Sequence, residues 1–519
     1  MTDTTTGNSE SPGRTGSGAV DARPLGATPT PAGNLPAENP HHARRWLILA
    51  VIGIAQLMIV LDATIVTIAL PDAQKDLGFG NGDRQWIVTA YSLAFGALLL
   101  FFGRLADLIG KKNTFIIGLI GFGLASALGG AAPNFEVLVT ARALQGAAGA
   151  MLAPAALSLL TTTFTEPKER GTAFAVFGGI AGSGAAIGML LGGLLTEYFN
   201  WRWTLFVNVA FTVVTLAGAV VLLHTQRSEN RPKLDLSGTV TISGALFCLV
   251  YGFSNAASHP WSAPSTWMFL AVAALGVVIF TWWQTRAPHP LMPLRILLDR
   301  DRGGSFAAVF ITGAGMFGVF LFLTYYLQLM LGYSPVKTGL AFLPMVFVLM
   351  ASATLATTRL LQTVGARPLV AIGMALSGAG MAWMTGIDVT TSYPTHILGP
   401  LLVIGIGIGL VMAPAMNVAT LGVNADDAGV ASALVNTMQQ VGGSIGTALL
   451  NTLATAAATS YLAGKRPTPL VLAHAQLHSY ITAFWWSAGI FAAGAIICGL
   501  LLRPGVHTNE SDAAPALHG

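Results

Sequence analysis

Long apolar runs constrain this chain more than any other feature of its sequence. About fourteen stretches of roughly 20 predominantly apolar residues follow one another, and each is long enough to span the hydrocarbon core of a bilayer. Only 9% of the 519 residues are charged, whereas soluble domains carry about 25%. The runs are twice as long as a barrel strand requires and do not alternate. The sequence therefore predicts an all-α integral membrane protein with about 14 transmembrane helices.

The ends and the loops predict how the chain sits in the membrane. Residues 1–43 are rich in Thr, Gly, Pro, Ser and Ala without apolar periodicity, so we expect a disordered tail, and another at 504–519. With the N-terminus inside, most basic residues fall in cytoplasmic loops. The opposite loops hold only Lys75, Arg84, Arg202, Lys337, Lys465 and Arg466. We predict a multi-pass protein of the cell membrane with both termini in the cytoplasm.

An internal repeat divides the apolar region. RLADLIGKK from Arg104 is echoed by RLLQTVGAR from Arg359, and further weak matches follow in the same order at an offset of about 258 residues. The repeat predicts two parallel six-helix bundles, at 44–225 and 304–503, separated by a two-helix insert at 226–303. Two such halves with a cavity between them are typical of transporters.

Two charged residues lie well inside the predicted spans, Asp62 in the first helix and Arg142 in the fourth. A charge at the centre of a membrane helix costs about 2.5–3.5 kcal/mol, so each must face a partner or a cavity. Their depths differ by roughly 5 Å at 1.5 Å per residue, which allows one layer. We predict that Asp62 exchanges protons and that Arg142 modulates the exchange. The alternative is a static ion pair that fixes helix packing.

Several function classes are disfavoured. The basic residues form no cluster of the kind that binds nucleic acid. Cys248 and Cys498 lie inside apolar runs and suggest neither a disulfide framework nor a metal site. The chain contains no GxxxxGK[ST] loop, which argues against ATP hydrolysis as its energy source. We therefore predict no metal, no cofactor and no enzymatic activity.

A short loop follows the second predicted helix, with the sequence GRLADLIGKK. Its glycines permit a tight turn, and its carboxylate could cap a helix or hold an arginine in one conformational state. We predict a cytoplasmic gating motif, with anchoring of the topology by the basic residues as the simpler explanation. The motif residues are Gly103, Arg104, Asp107, Gly110 and Lys111.

Small residues and amides recur at helical spacing in the fifth and thirteenth predicted helices. Gly184, Gly188, Gly192 and Gly193 allow close helix contact, and packing alone explains most such patterns. Amide side chains inside the spans are more typical of a polar cavity. The candidate substrate-cavity residues are Gln56, Gln145, Asn436, Gln439 and Gln440.

Together these motifs resemble those of the major facilitator superfamily, in its fourteen-helix drug:proton antiporter family. The segments that carry the resemblance are LDATIVTIALP from Leu61, GRLADLIGKK from Gly103, RALQGAAGA from Arg142, WRWTLFVNV from Trp201 and QQVGGSIGTA from Gln439. The resemblance implies that Asp62 is the acidic position of the first-helix motif and that the arginine of the fourth-helix motif takes part in proton transfer. One position departs from the antiporter pattern, because Met189 stands where the fifth-helix motif has proline.

The predicted function is efflux of small amphiphilic drugs or an antibiotic in exchange for protons, by a chain that we expect to work as a monomer. Proton-coupled uptake of a metabolite is one alternative. A membrane sensor that transports nothing is another, although no soluble signalling domain is attached.

Overall fold

The computed structural model describes residues 44–164, 166–223, 235–258, 263–292, 294–421, 423 and 428–505. Its described part is built from fourteen long helices, and no β-strand occurs in it. In chain order the helices are α1 Arg45–Leu77, α2 Gln85–Ile109, α3 Lys111–Gly130, α4 Phe135–Thr163, α5 Pro167–Tyr198, α6 Trp203–Leu222, α7 Leu236–Ser258, α8 Pro264–Gln284, α9 Arg300–Tyr325, α10 Pro335–Leu355, α11 Ala366–Met384, α12 Leu398–Thr420, α13 Ala428–Leu462 and α14 Pro469–Leu501.

The helices confirm the predicted fold class. Within the described residues, eleven segments are long and apolar enough to cross a membrane. A helix satisfies all of its backbone hydrogen bonds internally, which is what a chain segment in hydrocarbon requires. Two helices extend as π-helical turns, at Tyr326–Met330 and Ala356–Leu360. The protein is thus a multi-pass membrane protein of the all-α class.

Local sequence signals begin several helices. The side chain of Asn134 accepts a hydrogen bond from the backbone N–H of Val137 at 3.0 Å, and that of Asp299 accepts one from Arg302 at 3.0 Å. Such caps satisfy backbone donors that the first turn leaves free. Pro335 occupies the first turn of α10, where its missing N–H costs nothing.

Helix packing confirms the two parallel repeats. In the first half α1 packs on α5 and α6, α2 packs on α4, and α3 packs on α4 and α6; their counterparts α9, α10 and α11 contact the counterpart helices in the same pattern. Gly110 and Gly365 hold matching turns, between α2 and α3 and before α11, at φ angles of 94° and 79°. Positive φ favours glycine because it has no Cβ.

The insert consists of α7 and α8, and α7 packs against both halves. Leu246 and Val250 of α7 pack against Leu93 of α2 and Val441 of α13. The insert therefore covers the seam where α2 of the first half meets α13 of the second. The exact limits of the three predicted units stay a prediction.

Because the number of long helices is even, α1 begins and α14 ends at the same face of the bundle, which we call the termini face. We call the opposite face the far face. The predicted tails lie outside the described residues, apart from Pro504 and Gly505.

Candidate functional site

The structure brings Asp62 of α1 and Arg142 of α4 into direct contact. Nη1 of Arg142 lies 2.6 Å from Oδ2 of Asp62, and the two side chains are 2% and 0% exposed. A buried ion pair is stable only when the remaining polar atoms are also satisfied, because removing two charges from water is costly. The surroundings of the pair therefore decide what it can do.

Amides complete the pair. The second carboxylate oxygen of Asp62 accepts hydrogen bonds from Asn208 Nδ2 at 2.7 Å and from Gln145 Nε2 at 3.2 Å. Gln145 Oε1 in turn accepts one from Arg142 Nη1 at 2.8 Å, and Gln145 Nε2 also lies 2.7 Å from Ser126 Oγ. All five side chains are buried. We call Asp62, Ser126, Arg142, Gln145 and Asn208 the Asp62 cluster.

The arginine is held from a second side by α2. Its Nε donates to the backbone carbonyl of Ile87 at 3.1 Å, and its guanidinium carbon lies 4.5 Å from the centre of the Tyr91 ring. Gly146 makes this approach possible, since a Cβ there would overlap the backbone carbonyl of Tyr91. The small residue four positions after Arg142 thus lets α4 lie close enough to α2 for the guanidinium to reach it.

The cluster is closed to water in this conformation. Asp62, Gln145, Asn208 and Ser126 are each 0% exposed, and Leu61 and Ile65 on α1 are also fully buried. A proton can therefore reach the carboxylate only when the helices around it move. Charge inside a low-dielectric, sealed layer interacts strongly with its partners, so a change of protonation there is energetically tied to helix motion.

Sequence reasoning paired Asp62 with Arg142 but missed Asn208 and Ser126. Asn208 lies in the segment WRWTLFVNV, where an amide inside an apolar helix was a usable signal. Ser126 carries no comparable signal, because serine is common in membrane helices that pack closely. Gln145, a candidate for the substrate cavity, lies inside the cluster, and its role in a cavity stays a prediction.

The predicted gating motif spans the turn between α2 and α3. Gly103 and Arg104 are half-buried near the end of α2, Gly110 makes the turn, and Lys111 begins α3. The backbone N–H of Gly110 donates to the carbonyl of Ala106 at 3.1 Å and closes the helix. The side chain of Asp107 lies outside the described part, so its predicted gating contact stays a prediction.

The glycines of α5 divide into two groups. A Cβ on Gly184, Gly188 or Gly192 would press on Val60, on Thr64 or on the carbonyl of Ile65, so these three allow α5 to lie against α1. Gly193 points elsewhere: a Cβ there would lie 2.7 Å from the carbonyl oxygen of Pro335 on α10, in the other half.

Met189, at the position where the resembled motif has proline, takes part in that same crossing. A Cβ on Gly339 of α10 would lie 2.5 Å from the backbone carbonyl of Met189. Glycines from both halves thus allow the two helices to cross closely.

The other cavity candidates lie apart from the cluster. Gln56 on α1 is half-buried, as are Gln439 and Gln440 on α13, and Asn436 is exposed, with its Nδ2 3.2 Å from the carbonyl of Ser432. Gln440 faces Gly96 of α2 across the two halves, where a Cβ would lie 3.1 Å from its own. No group of three metal-ligating side chains occurs in the described parts of the chain.

Comparison with known proteins decides the family. The model of the Major Facilitator Superfamily matches residues 52–447, which include the whole Asp62 cluster. The chain belongs to the Major Facilitator Superfamily. It is therefore a membrane transporter of small molecules and not an enzyme.

Relatives within this superfamily are export and resistance proteins. The chain is 46% identical to the puromycin resistance protein of Streptomyces alboniger, over 88% of this chain and 92% of that protein. It is 39% identical to the cephamycin export protein of Amycolatopsis lactamdurans, over 77% of this chain and 83% of that protein. Both relatives are thus named for resistance to an antibiotic or for its export.

The fold has solved counterparts. The crystal structure of an auto-inhibited peptide transporter of the POT family matches with a TM-score of 0.68 at 17% identity, over 90% of this chain and 99% of that one. This likeness concerns the arrangement of helices alone.

Proposed function

We propose that the protein exports a small amphiphilic antibiotic or drug from the cell in exchange for protons. The observation that carries the proposal is the sealed Asp62 cluster, a titratable carboxylate 2.6 Å from a buried arginine inside one half of a two-fold repeat. Ionisable groups inside membrane spans are costly and mark proton or substrate pathways. In this proposal Asp62 carries the proton and Arg142 modulates it.

Coupling follows from the loss of charge on Asp62. Deprotonated, the carboxylate holds Arg142, Gln145 and Asn208 around it, which favours the sealed conformation. Protonation removes the counter-charge of Arg142, and a buried unpaired cation is strongly unfavourable. The protonated protein is thus driven towards a conformation in which the cluster is hydrated, and the bound proton shifts the population of the two states.

Substrate binding is assigned to the space between the halves. In this proposal the amides of Gln56, Asn436, Gln439 and Gln440 line that space, while Gly193 of α5 and the loop around Asp107 let the halves change contact. Puromycin is the first compound to test, because the relative with 46% identity is a puromycin resistance protein.

The proposed setting is the cell membrane, with the termini face in the cytoplasm and a single chain as the working unit. The membrane potential then supplies about 2.3 kcal/mol per proton per 100 mV, which is enough to concentrate a solute many-fold.

The test is flux in proteoliposomes that contain the purified chain and a pH-sensitive dye. We expect an imposed proton gradient to drive puromycin in the direction opposite to the protons, and puromycin alone to move protons. Movement of both in the same direction would make the protein a symporter. Puromycin flux that ignores the proton gradient, both ways and with a protonophore present, would reduce the Asp62–Arg142 pair to a structural contact.

A further inference from the structure

A second buried arginine, outside the Asp62 cluster, lies at the far face. Arg84 precedes the first residue of α2 and is 3% exposed. Its Nε donates to Oδ1 of Asn451 at 3.0 Å, and its guanidinium carbon lies 4.4 Å and 5.3 Å from the ring centres of Tyr325 and Phe322. Arg84 belongs to the first half of the protein, and all three of these partners belong to the second.

No carboxylate pairs with this cation within the part of the chain that the structure describes. Arg84 is held by an amide oxygen, by the hydroxyl of Tyr480 and by aromatic faces, all of which attract a cation less strongly than a counter-ion does. Burial of a cation without a counter-ion is costly, so the contact is favourable only while each of these partners is in place. Such a contact releases easily when water reaches it.

Within the part of the chain that the structure describes, the hydrogen bonds between the two halves lie at this same face. Asn451 Nδ2 also reaches the carbonyl of Asn81 at 3.2 Å, so one amide holds both the arginine and the loop before α2. Tyr325 donates to Gln74 at 2.6 Å, and Gln328 donates to the carbonyl of Ile68 at 2.9 Å. The backbone N–H of Val336 donates to Glu197 at 2.9 Å.

The hydrogen bonds described near the termini face stay within one half. Arg45 pairs with Glu169 at 2.7 Å, and Arg300 donates to the carbonyl of Leu501 at 2.7 Å. This distribution identifies the structure as a state in which the halves are joined at the far face.

We propose that Arg84 is the latch that keeps the far face closed and that Asn451 is the acceptor on which it depends. The inference rests on the proposed orientation, in which the far face is the cell exterior, and it is independent of proton coupling. In the closed state Arg84 is dry and bound to the second half. In the open state the same guanidinium is hydrated and the halves separate, so the equilibrium is set by how well the second half replaces water around one charge.

The experiment measures the distance between the halves at both faces by electron spin resonance of paired nitroxide labels. In a Cys248→Ala, Cys498→Ala background, labels at Asn200→Cys and Lys465→Cys report the far face, and labels at Asn113→Cys and Thr363→Cys report the termini face. All four label sites are exposed and lie outside the clusters described above.

Asn451→Leu removes the acceptor while keeping the size of the side chain. We expect the ratio of open to closed far-face states to rise about tenfold, because a buried charged donor is left unsatisfied only in the closed state. The termini-face labels should move together at the same time, since alternating access opens one face as it closes the other.

The double variant Arg84→Met, Asn451→Leu separates a charge latch from simple packing. With no cation to desolvate, the far face should return to the closed distance. An Asn451→Leu protein that stays closed, or a double variant that is as open as Asn451→Leu alone, would overturn the proposal. If Asn451→Leu does not fold, Tyr325→Leu removes the aromatic partner and is expected to open the same face, and a closed Tyr325→Leu protein would equally count against the latch.

Arg202→Met is the matched control. Arg202 is also at the far face, pairs with Asp76 at 3.1 Å and lies over the ring of Trp201, but all of these contacts are within the first half. Its loss should lower stability without changing either distance.

Discussion

The two halves of this protein share one packing plan and differ in their interior chemistry. In the first half α4 carries Arg142 and Gln145 into contact with Asp62. In the second half Gly315 stands at the position of Asp62, because Gly188 faces Leu61 and its repeat partner Gly446 faces Ala314. A Cβ on Gly315 would overlap the ring of Phe491 on α14.

The counterpart of α4 keeps the close glycine contact but carries no charged residue. Helix α12 has Gly405 and Gly409, where a Cβ would overlap or press on the carbonyls of Met345 and Leu349 on α10. One half is therefore built around a titratable group and the other around close apolar contact. The difference teaches that a duplicated fold can confine its charge chemistry to one copy and pack the other with apolar contacts.

The largest difference between the two halves is expected when Asp62 itself is changed. Asp62→Asn keeps the shape of the side chain but cannot exchange a proton, so we expect proton-coupled transport to fall by about 100-fold or more. Phe320→Leu, on the counterpart helix α9, where the ring packs on Phe342 at 5.3 Å, should leave the transport rate within about twofold. Flux in proteoliposomes, at equal amounts of folded protein by size-exclusion chromatography, measures both. Equal losses in the two variants would contradict the assignment of proton exchange to the first half.

A smaller effect is expected from the amide that sequence reasoning missed. Asn208→Ala removes a 2.7 Å donor from the carboxylate of Asp62, and the loss of one hydrogen bond to a charged group corresponds to roughly a tenfold fall in transport. Ser487→Ala on α14, the counterpart helix of α6, is the control, because its hydroxyl bonds to Ala483 within its own helix. Wild-type transport by Asn208→Ala would show that the amide only fills space.

The helix packing is the same in both halves, so matching glycine substitutions should have similar effects on stability. Gly188 of α5 faces the backbone of Leu61 on α1, and its repeat partner Gly446 of α13 faces the backbone of Ala314 on α9. Gly188→Ala and Gly446→Ala should each lower the free energy of unfolding by about 1–3 kcal/mol, because both overpack a close helix contact. Thermal denaturation in detergent compares them. A large loss in only one variant would show that the repeat is not matched in packing.

The smallest effect is expected in the insert, which lies outside both repeats. Asp235, just before α7, accepts hydrogen bonds from Gly238 N at 2.8 Å, Trp283 Nε1 at 2.8 Å and Gln284 Nε2 at 2.7 Å. Partial burial alone would raise the pKa of Asp235, but these hydrogen bonds outweigh it and the pKa is lowered. A lowered pKa in the folded state means that the stabilisation is present above the ordinary pKa, near 4, and is lost as the pH falls through the folded value.

Asp235→Asn should therefore lower the melting temperature at pH 7 by no more than about 2 °C and remove the part of the acid destabilisation that this carboxylate causes. Melting curves recorded between pH 3 and pH 7 measure this. Identical acid profiles for the wild type and the variant would show that Asp235 does not contribute to the insert's stability.

Much of the fold could be predicted from the sequence because the signals of a membrane helix are local. Apolar runs, Pro and Asn at helix starts, and the echo of Gly110 by Gly365 each depend on residues close together in the chain. The site was predicted in part for the same reason: Asp62 and Arg142 stand out as charges in apolar surroundings.

The partners of those residues could not be predicted as well. Asn208 meets Asp62 across 146 residues, and Arg84 meets Asn451 across 367. No periodicity encodes contacts at such separations. The sequence likewise suggested that the α5 glycines allow close contact, but it did not indicate that Gly193 faces the other half while Gly184, Gly188 and Gly192 face α1.

The sequence by itself determined the solvent, the number of helices, the duplication and the two charges that need partners, because a bilayer penalises every polar group wherever it occurs. Only the tertiary structure decided which polar groups satisfy those charges and which face of the bundle joins the halves. These choices depend on the close approach of helices from distant parts of the chain, and that approach is set by packing across the whole bundle.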